Sequence, residues 1–248
     1  MKKFLVGAVA TAALLTPCVA SADTNAVVGV QYNSTEIESF DWDSYGINGA
    51  VSHDFSNGTL MQFDANTSRV DISACCNSSG YAALHYGVRN EGHGFGGFVV
   101  LEDFFGYSGA GLGVEGQLFM NNIVVNGSLG YVDFNDLDFS LVSGQVDGAY
   151  YFTENFAVTG LVAYTQDDGA FDEDWVTWGI GGEWRFNNSP ASIELGYRAA
   201  DIDDDDVSSW MIGVNLDLGT GTLRERASSG PSFNGAEALH SNLNIIAP

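Results

Sequence analysis

The chain has 248 residues, of which 32 are acidic and 8 are Lys or Arg, so its net charge is −24. Such a chain has no basic patch to hold a nucleic-acid backbone, which excludes general phosphate binding. Intrinsic disorder is excluded by the 45% of hydrophobic and 12% of aromatic residues, and long stretches of alternating residues with only four prolines favour one all-β domain.

The first 22 residues have the features of a cleaved export signal. Lys2 and Lys3 form a basic start, residues 4–15 are apolar, and the Ala-Ser-Ala of residues 20–22 fits the cleavage pattern. The apolar run is shorter than a membrane-spanning helix, although a transmembrane anchor and a lipoprotein modified at Cys18 are alternatives. Removal of this segment leaves six arginines, no lysine and a net charge of −26.

Beyond residue 22 the sequence repeats one pattern: about ten to thirteen residues with alternating apolar and polar side chains, followed by a break. In the clearest run, Trp210, Ile212 and Val214 share one face, while Gly213 and Asn215 share the other. Marking the breaks predicts about twelve strands, with ten or fourteen as alternatives. The predicted spans are 25–33, 43–55, 59–71, 79–89, 93–102, 109–120, 121–133, 137–152, 155–166, 175–187, 190–201 and 207–218.

Two classes of connection separate the predicted strands. Short connections rich in turn residues lie at 56–58, 90–92, 121–122, 153–155 and 187–190. Most of the others are longer or more acidic, at 34–41, 73–79, 102–108, 167–174 and 201–206. Short turns on one side and longer loops on the other are typical of an outer-membrane barrel whose first strand starts in the periplasm.

A soluble β-sandwich or soluble barrel shows the same alternation with its apolar face turned inward, so alternation alone does not separate these classes. The aromatic residues favour a membrane barrel, because many lie near strand ends, where interfacial girdles form. They include Tyr32, Phe55, Tyr86, Tyr131, Tyr150, Phe152, Trp184, Phe186, Tyr197 and Trp210. The sequence therefore predicts an all-β fold, an antiparallel up-and-down transmembrane β-barrel over residues 23–218.

The export signal, the alternating strands at 121–133, 175–187 and 207–218, and the Asn- and Gly-rich turns resemble porin-like outer-membrane β-barrel proteins of Gram-negative bacteria. The resemblance implies passive diffusion of small solutes or ions, with outer-membrane lipid, lipopolysaccharide and the barrel assembly machinery as partners. General porins have about sixteen to eighteen strands, more than this chain can supply. Such barrels also commonly end on an aromatic residue, whereas residues 219–248 here are polar and are predicted to form a flexible periplasmic tail.

Charged side chains on the polar faces of the strands are the candidate functional residues. On the predicted register the lumen-facing set is Asp54, Asp64, His85, Arg89, Glu115, Asp147, Glu183, Arg185, Glu194, Arg198 and Asp217. Within it, the pairs Glu183/Arg185 and Glu194/Arg198 lie on neighbouring strands, where cross-strand or cross-lumen ion pairs are expected. The set is either a charged constriction or the packed interior of a structural or surface-interaction barrel. Because acidic groups outnumber arginines, a conducting pore should prefer cations.

The predicted extracellular loops contain two further features. Weak candidates for a divalent cation, or for a solvated charge run, are Asp203, Asp204, Asp205 and Asp206, which match no calcium-binding motif. Cys75 and Cys76 are adjacent in one loop, and an exported protein meets oxidising conditions. A strained disulfide within the pair and an intermolecular bridge are both open.

Enzymatic signatures are weak in this sequence. A lipid-hydrolysing barrel needs a Ser–His pair on its exterior near the outer leaflet, whereas His53 is predicted near a periplasmic turn and His85 in the lumen. No G-x-S-x-G motif occurs in a strand–turn–helix context. We therefore expect no enzymatic activity, no cofactor and no nucleic-acid partner.

Overall fold

The computed structural model describes residues 23–245 except 38–39, 73–74, 170–172 and 203–204, with residues 71–77 and 205 described by backbone at most. The predicted export signal lies outside these residues. Twelve antiparallel strands close into a barrel in which each strand pairs with its sequence neighbours and β12 pairs with β1. The strands are β1 (Thr24–Ile37), β2 (Phe40–Asp54), β3 (Thr59–Ile72), β4 (Cys75–Arg89), β5 (His93–Phe104), β6 (Tyr107–Met120), β7 (Ile123–Phe134), β8 (Phe139–Thr153), β9 (Phe156–Asp168), β10 (Asp174–Arg185), β11 (Ala191–Ile202) and β12 (Asp205–Leu218). The predicted twelve-stranded up-and-down barrel is confirmed.

The barrel has a terminal end, where β1 starts at Thr24 and β12 finishes at Leu218, and a far end, where β1 connects to β2. The expected contrast between short turns and longer loops is wrong, because the strand bounds leave only two to five residues between strands at both ends. The strands continue into the segments expected as loops, since ladder hydrogen bonds use backbone groups and accept polar side chains. In the β1–β2 ladder, for example, Thr35 pairs with Trp42.

Alternation in the sequence becomes an apolar exterior and a mixed interior. On β5, Phe95, Val99 and Leu101 point outward and are 60%, 57% and 66% exposed, while Phe98 and Val100 point inward and are 3% and 2% exposed. A water-soluble protein does not leave such a continuous apolar surface in solvent. The outer face is therefore the surface that contacts lipid.

Exterior aromatic residues form two groups at different heights on the wall. The group near the terminal end contains Tyr150, Phe152, Phe156, Trp184 and Phe186. The group nearer the far end contains Tyr32, Tyr45, Trp178, Tyr197 and Trp210. Two such bands match the girdles that place aromatic rings at both interfaces of a bilayer.

After β12 the chain turns into the barrel instead of away from it. Gly219 adopts φ +116°, a backbone conformation that favours glycine, and two helices follow, α1 (Leu223–Ser229) and α2 (Gly235–Asn244). Neither has the length or hydrophobicity to cross a membrane. We call residues 219–245 the plug, because their side chains contact the inner wall and several are buried there. The expected flexible periplasmic tail is thus replaced by an ordered lumenal segment.

Candidate functional site

The interior contains all eleven charged residues that the register predicted to face the lumen. Buried among them are Asp64, His85, Arg89, Glu115, Glu183, Arg185 and Asp217. Asp54 contacts Arg89 from the neighbouring wall. The remaining three, Asp147, Glu194 and Arg198, line a cavity inside the barrel. Their direction is as predicted, and a role in solute selection stays a prediction.

Helix α1 lies across the terminal end of the lumen. Thr222 caps the helix by accepting a hydrogen bond of 3.0 Å from the backbone N–H of Glu225, whose carboxylate accepts from the N–H of Gly221. Leu223 is 1% exposed. It packs in a small apolar cluster with Val124, Tyr151 and Ala157. The cap fixes the start of the helix and the cluster fixes its position against β7–β9.

A buried ion network joins α1 to the wall. Arg226 Nη1 donates to Glu183 at 3.0 Å and to Asp217 at 3.2 Å, and Arg185 Nη1 lies 3.1 Å from Asp217. Arg185 also donates to the carbonyl of Thr220 at 2.8 Å. Burial alone would lower the pKa of Arg226, but Glu183 and Asp217 outweigh it and raise that pKa above its usual range. Arg226 therefore stays charged and ties the plug to β10 and β12.

Among the described residues, Glu183, Arg185, Glu194 and Arg198 form no ion pair with one another, although the strand register allows such pairs. Glu183 lies directly opposite Glu194 in the β10–β11 register, so two like charges face each other. Asn215 bridges them by donating to both carboxylates at 3.3 Å. The cation that neutralises this group comes from the plug, which the strand pattern did not place inside the barrel.

Arg89 connects the wall to the segment between the two helices. Its guanidinium forms an ion pair of 2.5 Å with Asp54 on β2 and donates to the carbonyl of Gly230 at 2.6 Å. Ser232 Oγ is a third acceptor, at 3.1 Å. One arginine on β4 thus satisfies a wall carboxylate and the C-terminal end of α1 together.

Phe233 fits into a recess made by missing side chains. A Cβ added to Gly87 or to Gly96 would lie 3.0 Å from the Phe233 ring, which is closer than ordinary contact. Gln62 holds the backbone of Phe233 by donating to its carbonyl at 2.6 Å and accepting from its N–H at 3.2 Å. These glycines therefore give the plug room against β4 and β5.

His85 lies between two carboxylates beneath Phe233. Its Nε2 is 2.6 Å from Asp64 and its Nδ1 is 2.6 Å from Glu115, with the ring fully buried. Nδ1 hydrogen-bonds Glu115, and Nε2 lies within ion-pair distance of Asp64. Two carboxylates this close favour the charged imidazolium. The second oxygen of Glu115 accepts the N–H of Gly235 at 2.9 Å, where a carboxylate also stabilises the start of α2.

Helix α2 follows the inner face of β4–β8 toward the far end. Its apolar side enters the main interior cluster, in which Leu239 and Leu243 are 2% and 0% exposed. The wall side of that cluster includes Tyr81, Phe98, Val100, Val132, Phe134, Phe139, Leu141 and Trp175. The polar side is held by His240, which lies 2.7 Å from Glu102, and by Asn242, which donates to Ser143 at 3.0 Å. The far half of the lumen is therefore packed on one side.

The other side of the lumen, beside α2, is open. A cavity of about 360 Å³ extends between α2 and the inner faces of β1–β3 and β8–β12. Its charged lining consists of Asp147, Glu194, Arg198, Glu237 and His240. Burial raises the pKa of Glu237, and the opposing charge of Arg198 lowers it only in part. The cavity is polar and carries more carboxylates than guanidinium groups.

The remaining predicted features fall partly outside the described residues. Asp203 and Asp204 lie there, as do the side chains of Asp205, Cys75 and Cys76, whereas Asp206 is exposed. Within the described part of the chain, no group of three or more His, Cys, Asp or Glu side chains is arranged to hold a metal ion. His53 lies at the terminal end, with Nδ1 2.8 Å from Thr24 Oγ1.

The plug residues are the functional candidates that sequence reasoning missed. Two signals in the chain point to them. The sequence Thr222-Leu223-Arg224-Glu225 is a helix-capping pattern. Inward positions on consecutive strands are also unusually small, at Gly87, Gly94, Gly96, Gly109, Gly111 and Gly113. Where the wall lacks inward side chains, another segment of the chain is expected to fill the space.

Comparison with known proteins gives structural relatives alone. No family model and no curated protein matches the chain. The NanC porin matches with a TM-score of 0.60 and 11% identity, covering 77% of this chain and 100% of its own. The KdgM porin matches with a TM-score of 0.52 and 11% identity, covering 76% and 98%. The fold is that of a porin-like outer-membrane β-barrel. A second KdgM structure, in complex with disordered oligogalacturonate, matches with a TM-score of 0.51 and 12% identity.

Proposed function

We propose that this porin-like barrel lets small solutes or ions cross the outer membrane passively, and that its plug closes the terminal end in the conformation described above. The proposal is carried by a closed barrel with a charged, polar interior and a cavity beside the plug. The barrel is held by backbone ladders, including twelve β1–β12 pairs. The plug is held mainly through side chains, with one backbone hydrogen bond of 3.1 Å from Arg224 to Glu154. Movement of the plug therefore leaves the sheet intact.

The charge of the cavity supports a preference for cations. Asp147, Glu194 and Glu237 contribute carboxylates, and Arg198 contributes the guanidinium that opposes them. A low-dielectric wall strengthens the field of such groups, and rings of carboxylates favour cations in pores. The net negative lining would raise the local concentration of cations and repel anions.

The negative charge of the cavity makes the ligand of one similar structure an unsuitable solute for this barrel. A related KdgM structure contains disordered oligogalacturonate, which is a polyanion because each galacturonate unit carries a carboxylate. A polyanion beside Glu194 and Glu237 would meet like charge in a confined space. We therefore propose a solute class of opposite sign.

The export signal and the two aromatic girdles support insertion in the outer membrane, with the terminal end in the periplasm. Barrels of this class begin and finish their strands on the periplasmic side. This orientation places the charge network of Arg226 at the periplasmic end of the lumen and directs the end of α2 toward the cell surface. Lipopolysaccharide, membrane lipid and the barrel assembly machinery are the expected partners.

A second function is favoured by one observation, the packing of the plug itself. At the terminal end Gln62, Arg185 and Asp217 are 2%, 4% and 3% exposed, so wall and plug are closely packed around them. At the far half α2 packs against an apolar cluster. A barrel that never releases this segment would be a structural or surface-interaction protein with a filled lumen.

Planar-bilayer recordings of two proteins separate these functions. One is the full-length protein, and the other finishes at Leu218 and lacks the plug. We expect the full-length barrel to conduct rarely and the shortened barrel to conduct steadily, with a reversal potential in a KCl gradient on the potassium side. Silence of both proteins, with folding verified by heat-modifiable gel migration, would support the structural barrel. A reversal potential on the chloride side would contradict cation preference.

A further inference from the structure

The cavity beside α2 has the size and shape of a binding site for a small molecule. Its volume of about 360 Å³ lies within the range of about 300–1,000 Å³ that ligand pockets occupy. Inward glycines create it, since Gly179, Gly181 and Gly196 line its wall where side chains would otherwise project. The plug forms the opposite wall through Glu237, Ser241 and neighbouring residues.

One buried amide oxygen in this cavity has no hydrogen-bond partner among the described residues. Asn66 on β3 is 7% exposed and lines the cavity, yet its Oδ1 accepts no hydrogen bond. Leaving a buried carbonyl oxygen without a donor costs about 1–3 kcal/mol. Asn66 Oδ1 thus lies just behind the cavity lining, where rotation of the side chain would offer it to a ligand with N–H groups.

The carboxylates of the cavity can also accept further hydrogen bonds. Glu237 extends from α2 into the cavity, and among the described residues its side chain makes no hydrogen bond or ion pair. Glu194 accepts a single bond, of 3.3 Å, from Asn215. Arg198 is the guanidinium on this wall, and within the described residues it lies beyond ion-pair distance of either carboxylate. Apart from the N–H groups of Arg198, the charged side chains of the site offer acceptors, so a ligand that binds them must supply donors.

From this arrangement we propose that the cavity binds small organic ammonium ions, such as linear diamines. An ammonium group offers three N–H donors and a positive charge, which match Glu194, Glu237 and the free oxygen of Asn66. A second ammonium group would meet Asp147, which lines the same cavity and accepts hydrogen bonds from Asn126 and Asn234. Here the inference deepens the proposed function and rests on it, because it names the solute class that would enter this lumen.

Calorimetric titration of the full-length, detergent-solubilised protein tests the proposal directly. The probe is putrescine, and its matched controls are 1,4-butanediol, which is neutral, and succinate, which is anionic. We expect putrescine to bind at least tenfold more tightly than either control. Equal binding of putrescine and butanediol, or tighter binding of succinate, would overturn the assignment.

Variants of the two carboxylates test whether putrescine binds in this cavity. Glu237→Gln and Glu194→Gln should each weaken putrescine binding about tenfold, since a charge-assisted hydrogen bond becomes a neutral one. Arg198→Gln should tighten it by removing the opposing charge. The control is Glu91→Gln in the exposed β4–β5 connection, which should leave binding unchanged. Equal losses in the control and the cavity variants would mean that the amine binds the acidic surface generally, and the proposal would be wrong.

The outcomes for binding and for conduction are separable. Cation-selective conduction by the shortened barrel, without putrescine binding to the full-length protein, would refute the amine site and leave the diffusion function standing. Putrescine binding that depends on Glu237, with no conduction by either protein, would support the site and refute the diffusion function. Folding of every variant is checked by heat-modifiable migration.

Discussion

Arg226 in the plug lies with Nη1 3.0 Å from the carboxylate of Glu183 on β10, although 43 residues separate them in the chain. This pair, with Asp217 beside it, is the most highly charged contact between the plug and the wall. A cation here neutralises carboxylates that would otherwise face one another across β10–β12. The closed terminal end therefore depends on electrostatics as much as on packing.

Replacement of Arg226 should release the plug. Arg226→Ala leaves Glu183 and Asp217 without their cation, and we expect a loss of about 2 kcal/mol in docking, less than for a fully buried pair because the arginine is partly exposed. The measurement is the rate at which proteinase K removes the C-terminal segment. Arg224→Ala, in the same helix, is the control and should leave that rate near its original value. Equal cleavage rates for the unchanged protein, Arg226→Ala and Arg224→Ala would contradict the role of Arg226.

Replacement of His85 should destabilise the folded barrel. His85→Leu removes the imidazolium between Asp64 and Glu115 and leaves two buried carboxylates facing each other, at a cost of about 3–5 kcal/mol. The temperature at which the folded gel band disappears should fall accordingly. In a background of Asp64→Asn and Glu115→Gln the same change should cost much less. A similar loss in both backgrounds would show that packing of the ring, and not its charge, is what matters.

A methyl group at Gly96 should disturb the plug through Phe233. The added Cβ of Gly96→Ala would lie 3.0 Å from the Phe233 ring and 2.9 Å from the carbonyl of Tyr86, a degree of overpacking that costs about 1–3 kcal/mol. The control is Gly116→Ala, whose Cβ would lie 3.6 Å from its nearest neighbour. Thermal unfolding checks both. If the ring is the main obstacle, Phe233→Ala should relieve part of the cost of Gly96→Ala.

An arginine on the outer face should hinder membrane insertion according to depth. Leu112 is 60% exposed near the middle of β6, and Leu112→Arg should cost about 2–4 kcal/mol. Val88, 48% exposed near the end of β4, should tolerate the same change at about 0–1 kcal/mol. The folded fraction in lipid vesicles after refolding from urea measures both. Equal yields would contradict the placement of lipid around β6.

The barrel wall could be predicted from the sequence because the pattern that specifies it lies within each strand. Alternation along Trp210, Ile212 and Val214 assigns each side chain to one face, and the same rule put every charged candidate on the inner side. The lengths of the connections could not be predicted this way. Polar residues such as Thr35 continue the ladder past the apolar band, since pairing there does not require an apolar side chain.

The plug could not be predicted, because its contacts are scattered along the chain. Phe233 is held by Gln62 and fits against Gly87 and Gly96. The inward glycines indicate space in the lumen, but no local pattern connects them with Phe233. Helix α1 is only seven residues long, too short to form from intrinsic propensity alone. The pairing of Glu183 with Arg226 could not be predicted either, since strand register contains no information about a segment outside the sheet.

The hydrogen bond from Asn25 to the carbonyl of Ser229 joins residues 204 positions apart, and the one from Gln62 to Phe233 spans 171. Contacts of such sequence separation form late in folding, because the intervening chain must be ordered before they are favourable. Docking of the plug therefore requires β1, β3 and β12 to be in their final places. Protease resistance of the C-terminal segment therefore reports completed assembly. It distinguishes a closed barrel from one that is still open between β1 and β12.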